Sequence, residues 1–241
     1  MVMARPKKTV LITGATRGIG LKFVEHYLNL GWNVIGTARD LSKADELKSL
    51  APYRIVQLDT GDEDSILNAA KELEGEAIDL LLNNAGVADG GNKDITTKRD
   101  LLRQFEVNAV GPFLVTRTFL PHLKAAVAKN GGAFVAQLTS YLGSITHSTE
   151  DYFIFKAGDV IGYRASKAAL NMITSSLAVD LKDDQIGVFL LDPGFVATDM
   201  TVQMGIITTD ASVSGLVSVI DKFTLADTGK ALDYTGKIVP W

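Results

Sequence analysis

The sequence predicts one α/β domain: a doubly wound parallel sheet of about seven strands with helices on both faces. Two features carry that prediction. Short, almost wholly apolar runs alternate with longer segments whose apolar residues recur every three or four positions. No linker, internal repeat or low-complexity tract interrupts the alternation. Apolar runs without polar alternation mark strands buried on both faces, and the helices between them supply the crossovers.

The elements follow in order. Val10-Leu-Ile-Thr13 is a buried strand. Gly18 to Leu30 carries Ile19, Phe23, Tyr27 and Leu30 at helical spacing and stops at Gly31. Trp32 to Thr37 is a second strand, and Leu41 to Leu50 a short charged helix ended by Pro52. Arg54 to Leu58 is a third strand. Asp62 to Leu73 is a helix whose acidic first turn, Asp62-Glu63-Asp64, suits the helix dipole and has no calcium-loop continuation. Ile78 to Leu82 is the fourth strand. Thr96 to Ala128 is a long helical region bent near Gly111-Pro112. Ala133 to Leu138 is the fifth strand, Tyr163 to Leu181 a strong helix, Ile186 to Leu191 the sixth strand, and Gly236 to Val239 the seventh. Right-handed crossovers make this a Rossmann-like sheet, in which ligands sit beyond the carboxyl ends of the strands.

Composition excludes several classes. The chain has 241 residues, 46% of them apolar, with a net charge of −4, so it can build a core and is not disordered. Cysteine is absent, which removes disulfides, thiolate metal sites and a catalytic thiol. Basic residues are scattered, which argues against nucleic acid. The cluster Arg5 to Lys8 precedes an apolar run too short for a signal peptide, and no run of about 18 apolar residues suggests a membrane span. A cytoplasmic location is expected. His26, His122 and His147 lack ligand-spaced companions, so no metal is expected. No G-x-S-x-G elbow marks a hydrolase.

The strand ends carry the chemistry. After the first strand comes Thr13-Gly14-Ala15-Thr16-Arg17-Gly18-Ile19-Gly20. Glycines at this spacing let a backbone turn tightly against a pyrophosphate, and the following helix offers its N–H groups to the anion. The second strand ends at Ala38, where an acidic residue would bind the ribose of NAD; Arg39 follows instead. Arg39 and Arg17 suit the 2′-phosphate of NADP, whereas a frame shift bringing in Asp40 would favour NAD. Asp59, followed by Thr60, either accepts from an adenine amine or caps the next helix.

Five motifs in order resemble the short-chain dehydrogenase/reductase family across nearly the whole chain. They are the turn Thr13 to Gly20, Asn83-Asn84-Ala85-Gly86, Asn108, Ser140, and Tyr163-Arg-Ala-Ser-Lys167. Gly143-Ser-Ile145, Leu177-Ala-Val-Asp-Leu181 and Gly236-Lys-Ile-Val-Pro-Trp241 are similar to the C-factor and sniffer-type carbonyl reductase branch. The resemblance implies a catalytic set of Asn108, Ser140, Tyr163 and Lys167. Tyr163 and Lys167 stand four apart and so share a helix face. An ammonium nearby eases ionisation of a phenol, which can then exchange a proton with a carbonyl oxygen. By resemblance Lys167 bonds the nicotinamide ribose, Ser140 holds the substrate oxygen, and Asn108 keeps a water in a proton relay. The cofactor, NADP(H), would lie along Gly14, Thr16, Arg17, Gly18, Ile19, Gly20, Arg39, Asp59, Thr60, Asn84, Ala85 and Gly86. Its nicotinamide end would reach Tyr163, Lys167, Pro193, Gly194, Val196 and Thr198.

The implied function is NADPH-dependent reduction of an aldehyde or ketone by direct hydride transfer. The alternatives are a signalling protein of C-factor type with secondary redox activity, and an NAD-dependent alcohol dehydrogenase. Relatives dimerise or tetramerise through the helices matching Thr96–Ala128 and Tyr163–Leu181, though some are monomers. Residues 198–212 mix polar and apolar side chains without turn signals and read as a substrate lid. The 22 residues between Ser140 and Tyr163 are more than most relatives have, and the insertion at 146–162 reads as a surface insertion, a partner contact or, the reading preferred because both its ends are pinned to the site, a wall of the substrate pocket.

Overall fold

A computed structural model of the chain describes residues 7–149 and 160–241. Seven strands lie in the order β3-β2-β1-β4-β5-β6-β7, each parallel to its neighbours. They are β1 (Thr9–Ile12), β2 (Asn33–Ala38), β3 (Arg54–Gln57), β4 (Leu80–Asn83), β5 (Ala133–Leu138), β6 (Ile186–Asp192) and β7 (Ala231–Asp233). The helices are α1 (Gly18–Asn29), α2 (Asp45–Ser49), α3 (Glu63–Glu72), α4 (Lys98–Phe105), α5 (Gly111–Thr118), α6 (Leu120–Asn130), α7 (Ile161–Asp180) and α8 (Thr209–Asp221).

Alternate strand residues feed two cores. Leu11, Leu81, Val135 and Val188 face α3, α5, α6 and α7 and pack with Ile66, Phe119 and Leu177. Val10, Ile12, Leu82 and Phe189 face the other way and pack with Phe23 and Tyr27 of α1 and Leu216 of α8. Every residue of β1, β4 and β6 is buried, the state their unbroken apolar runs demand. The direction of strand order reverses between β1 and β4, so a crevice opens beyond Ile12 and Asn83.

Three expectations are corrected. The seventh strand is Ala231–Asp233; Gly236–Val239 instead folds back on it. A turn at Gly236 (φ +85°) brings Ile238 antiparallel to Leu232, and the Val239 amide donates to Ala231. The long helix is broken twice. A π-helical segment, Glu106–Val110, precedes α5, and α5 ends at Thr118, with Phe119 outside both helices and Pro121 in the first turn of α6. Helix α8 is an element the sequence reading does not contain, and it takes up Thr209 to Ser212 of the expected lid. Among the described residues no helix is long and apolar enough to cross a membrane, and no group of His, Asp and Glu could hold a metal.

Candidate active site

The crevice is built first from backbone. Gly14 and Gly18 have φ of +65° and +55°, the left-handed region that glycine occupies without strain. A Cβ on Gly14 would stand 3.0 Å from Ala85 Cα, and one on Gly20 would overlap the Gly14 carbonyl. The turn is therefore pressed against the end of β4. Thr13 and Asn84 hold it there. The Thr13 hydroxyl oxygen accepts from the amides of Asn84 and Ala85, both at 3.0 Å. Asn84 Nδ2 donates to the carbonyls of Thr13 (2.8 Å) and Gly14 (3.1 Å). Thr13 is thus a bracing residue that the sequence reading did not single out, and Asn84 acts on the turn itself.

Helix α1 opens from this turn with no side-chain cap and no acidic residue in its first turn. Helix α3, by contrast, is capped by Asp62 and carries Glu63 and Asp64, and α4 opens with a Thr97–Asp100 capping box. Uncapped N–H groups at the positive end of a helix dipole, behind a glycine cradle, fit a phosphate. The residues present therefore fit the pyrophosphate of a dinucleotide.

At the edges of the crevice, Ala38 ends β2 and is buried, while Arg39 beside it is exposed. The strand end is thus the one expected, with no acid in it. Arg17 is exposed but not idle: its guanidinium pairs with Asp199 at 2.5 Å, linking the glycine turn to the segment after β6. Asp59 accepts from the Gly61 amide at 3.0 Å, and Asp62, not Asp59, caps α3. Thr60 is buried, where α5 comes so close that only Gly111 fits beneath its carbonyl. Thr16 and Ile19 lie half-buried in the turn.

The second half of the site gathers on α7. Lys167 is buried, and its Nζ donates to the Leu138 carbonyl at 2.7 Å while lying 5.6 Å from the centre of the Tyr163 ring. Ser140 follows β5 with its hydroxyl beside that of Tyr163, where it eases ionisation of the phenol; its oxygen accepts from the Leu142 amide at 3.2 Å. Gly143 makes this approach feasible, since a Cβ there would come within 2.9 Å of Lys167 Cβ. Asn108 sits in the π-helical segment, which turns its side chain inward. Its Oδ1 accepts from the Val87 amide (2.8 Å), and its Nδ2 donates to the Val87 carbonyl (2.8 Å) and to Ser166 Oγ (3.0 Å). So Asn108 clasps the loop that follows β4 at Val87. Gly86 borders both Asn108 Oδ1 and Lys167 Nζ.

Burial dominates the electrostatics. It pushes the Tyr163 phenol up to about 12, partly offset by the Ser140 hydrogen bond, with the negative charge of Asp192 adding to the rise. It pulls the Lys167 ammonium down to about 8, against the attraction of Asp192. Asp192, at the end of β6, is itself raised to about 6 by burial, although two amides and Lys167 oppose this. At neutral pH the site therefore holds a protonated phenol beside an ammonium.

Beyond β6, Pro193 O accepts from Ser212 of α8, and Gly194 turns with φ +77°. Val196 bridges Ile207, and Thr198 opens a short helical turn, Asp199–Thr201. The segment read as a lid folds as a loop that presents Val202, Met204 and Ile206 to solvent. Of the insertion, Thr146–Thr149 forms a helical turn whose Thr146 amide donates to the Trp241 carbonyl at 2.8 Å; residues 150–159 lie outside the described residues.

Comparison with known proteins agrees with this geometry. Residues 8–206 match the family model described as short chain dehydrogenase. C-signal of Myxococcus xanthus is 37% identical over 168 residues, 68% of this chain and 93% of that protein. An NADPH-bound carbonyl reductase from chicken fatty liver has a TM-score of 0.88 and 35% identity, covering 98% of this chain and 99% of its own. Carbonyl reductase Sniffer of D. melanogaster has a TM-score of 0.89 and 31% identity, covering 98% and 100%.

Proposed function

The chain belongs to the short-chain dehydrogenase family, and from that premise we propose that it is an NADPH-dependent reductase of aldehydes and ketones with Tyr163 as its acid. The observation that carries this reading is the convergence of Tyr163, Ser140 and Lys167 beside a glycine cradle at the sheet's switch point.

Bound NADPH would supply the hydride. The glycine turn and the uncapped start of α1 would hold its pyrophosphate, and Arg39 and Arg17 its 2′-phosphate. Arg17 would exchange Asp199 for the phosphate. That exposed pair is worth only about 0–1 kcal/mol, so a dianion with bidentate geometry outcompetes it. The remaining chemistry belongs to the chain. Tyr163 carries a proton at neutral pH and gives it to the carbonyl oxygen as negative charge develops there. Ser140 donates to that same oxygen or to the phenolate left behind. The Lys167 ammonium stabilises the phenolate, and its charge grows in value because water is excluded. A positioned acid of this kind contributes roughly 10²–10⁴ in rate. The apolar loop residues Val202, Met204 and Ile206 favour carbonyl substrates with an apolar body.

The test is consumption of NADPH and of NADH against a panel of aldehydes, diketones and quinones. Turnover preferring NADPH supports the reading; saturable NADPH binding without any turnover would overturn it. That second outcome would favour a nucleotide-binding signalling role, for which the likeness to C-signal speaks.

A further inference from the structure

Asp192 stands where an apolar strand would be expected to end in something cheaper. It is the last residue of β6, only 5% exposed, and lies in register beside Asp233 of β7. Asp233 is occupied elsewhere: its Oδ1 accepts from the amides of Thr235 and Lys237 in its own turn. Burying a carboxylate next to another acid costs stability unless something repays it.

What repays it is specific. One oxygen of Asp192, Oδ1, accepts from the Tyr141 amide at 3.1 Å and from the Gly194 amide at 3.3 Å. Tyr141 directly follows Ser140, and Gly194 belongs to the turn that leaves β6. A single atom thus joins the loop carrying the Ser140 hydroxyl, beside Tyr163, to the loop proposed to receive the nicotinamide end. The groups facing this carboxylate are Lys167 and Tyr163 of α7 and Asp233 of β7.

We propose that Asp192 is a positioning residue for the proton transfer: one of its oxygens ties the Ser140 turn to the Pro193–Gly194 turn, and its carboxylate adds a negative charge on the Lys167 side of the site. The proposal rests on the reading of Tyr163 and Lys167 given above. Its consequence has a sign. The carboxylate favours the charged form of Lys167 and disfavours the phenolate of Tyr163. Removing the charge lowers the pKa of both, so the form carrying both protons is lost at lower pH.

Asp192→Asn tests this because an amide oxygen can still accept from Tyr141 and Gly194 while the charge is gone. Asp192→Ala removes the ties as well. Two readouts separate the proposal from the function on which it rests. In the protein without cofactor, ¹⁵N NMR of the lysine Nζ, with Lys167→Met to identify the signal, should show the Lys167 titration moving acidward by about one pH unit in Asp192→Asn, the low end of a nearby opposite charge's effect. An unmoved titration overturns the proposal whether or not any carbonyl is reduced. In turnover, the basic limb of kcat should move acidward in Asp192→Asn with melting and NADPH affinity kept. Asp192→Ala should in addition raise KM for both substrates. A kcat profile of Asp192→Asn that overlays the wild type, or equal losses of melting temperature and activity in both variants, would leave Asp192 a merely structural residue and overturn the proposal.

Discussion

Lys167→Met should make the protein more stable while abolishing its activity. Lys167 is 4% exposed, and burial holds its ammonium at about 8 against 10.5 for the free side chain. At about 1.36 kcal/mol per pH unit, charging it in the folded state costs roughly 3 kcal/mol. The methionine fills the same space without charge but leaves the Leu138 carbonyl without its 2.7 Å donor. An orphaned acceptor costs about 1–3 kcal/mol. The net expectation is a change of about 0–2 kcal/mol at pH 7, in favour of the variant. The sign of the pH dependence follows. A lysine with a depressed folded pKa binds its proton more weakly in the folded than in the unfolded chain. Wild-type stability is therefore lowest below pH 8 and recovers as the pH rises towards 10.5. The variant's advantage should be full at pH 7 and shrink by pH 10. Urea unfolding of both proteins at these two pH values measures it. A variant less stable than wild type at pH 7, with an unchanged m-value, would refute the claim that this lysine is kept at a cost in stability.

Further outcomes follow from the same geometry. Ala38 is buried and Arg39 exposed, so Arg39 is the position to alter. Arg39→Leu should weaken NADPH binding by about 5- to 30-fold, the worth of one partly solvated charge-assisted bond, and leave NADH binding unchanged; a parallel loss for both cofactors in calorimetry would speak against a phosphate contact. Gly20→Ala places a methyl against the Gly14 carbonyl and within 2.5 Å of Asn84 Nδ2. It should cost about 1–3 kcal/mol in urea unfolding and weaken NADPH binding, whereas Gly90→Ala, which meets nothing within 4 Å, should change neither.

Much of this was legible in the sequence because burial writes itself into apolar runs. The strands β1, β4 and β6 are buried throughout, and apart from Thr9 at the start of β1 nothing polar blurs their pattern until Asn83 and Asp192 at the ends of β4 and β6. Tyr163 and Lys167 could be paired because four residues make one helical turn. What stayed hidden depends on distant contacts. Helix α8 carries Gly215 in its middle, a residue that weakens any local helix signal; it is there because the Tyr234 carbonyl comes too close for a side chain. The inward turn of Asn108 needs a π-helical segment that no periodicity announces. Thr13 and Asp192 look like an ordinary strand end and turn, and only the folded chain shows which amides they hold.

The most direct test of the account is Tyr163→Phe, assayed for NADPH-driven carbonyl reduction and, separately, for NADPH binding by fluorescence. The variant removes one hydroxyl and nothing from the glycine cradle. In this variant kcat should fall at least about a hundredfold with the Kd for NADPH unchanged. Undiminished turnover, or turnover and binding lost together, would contradict Tyr163 as the proton donor.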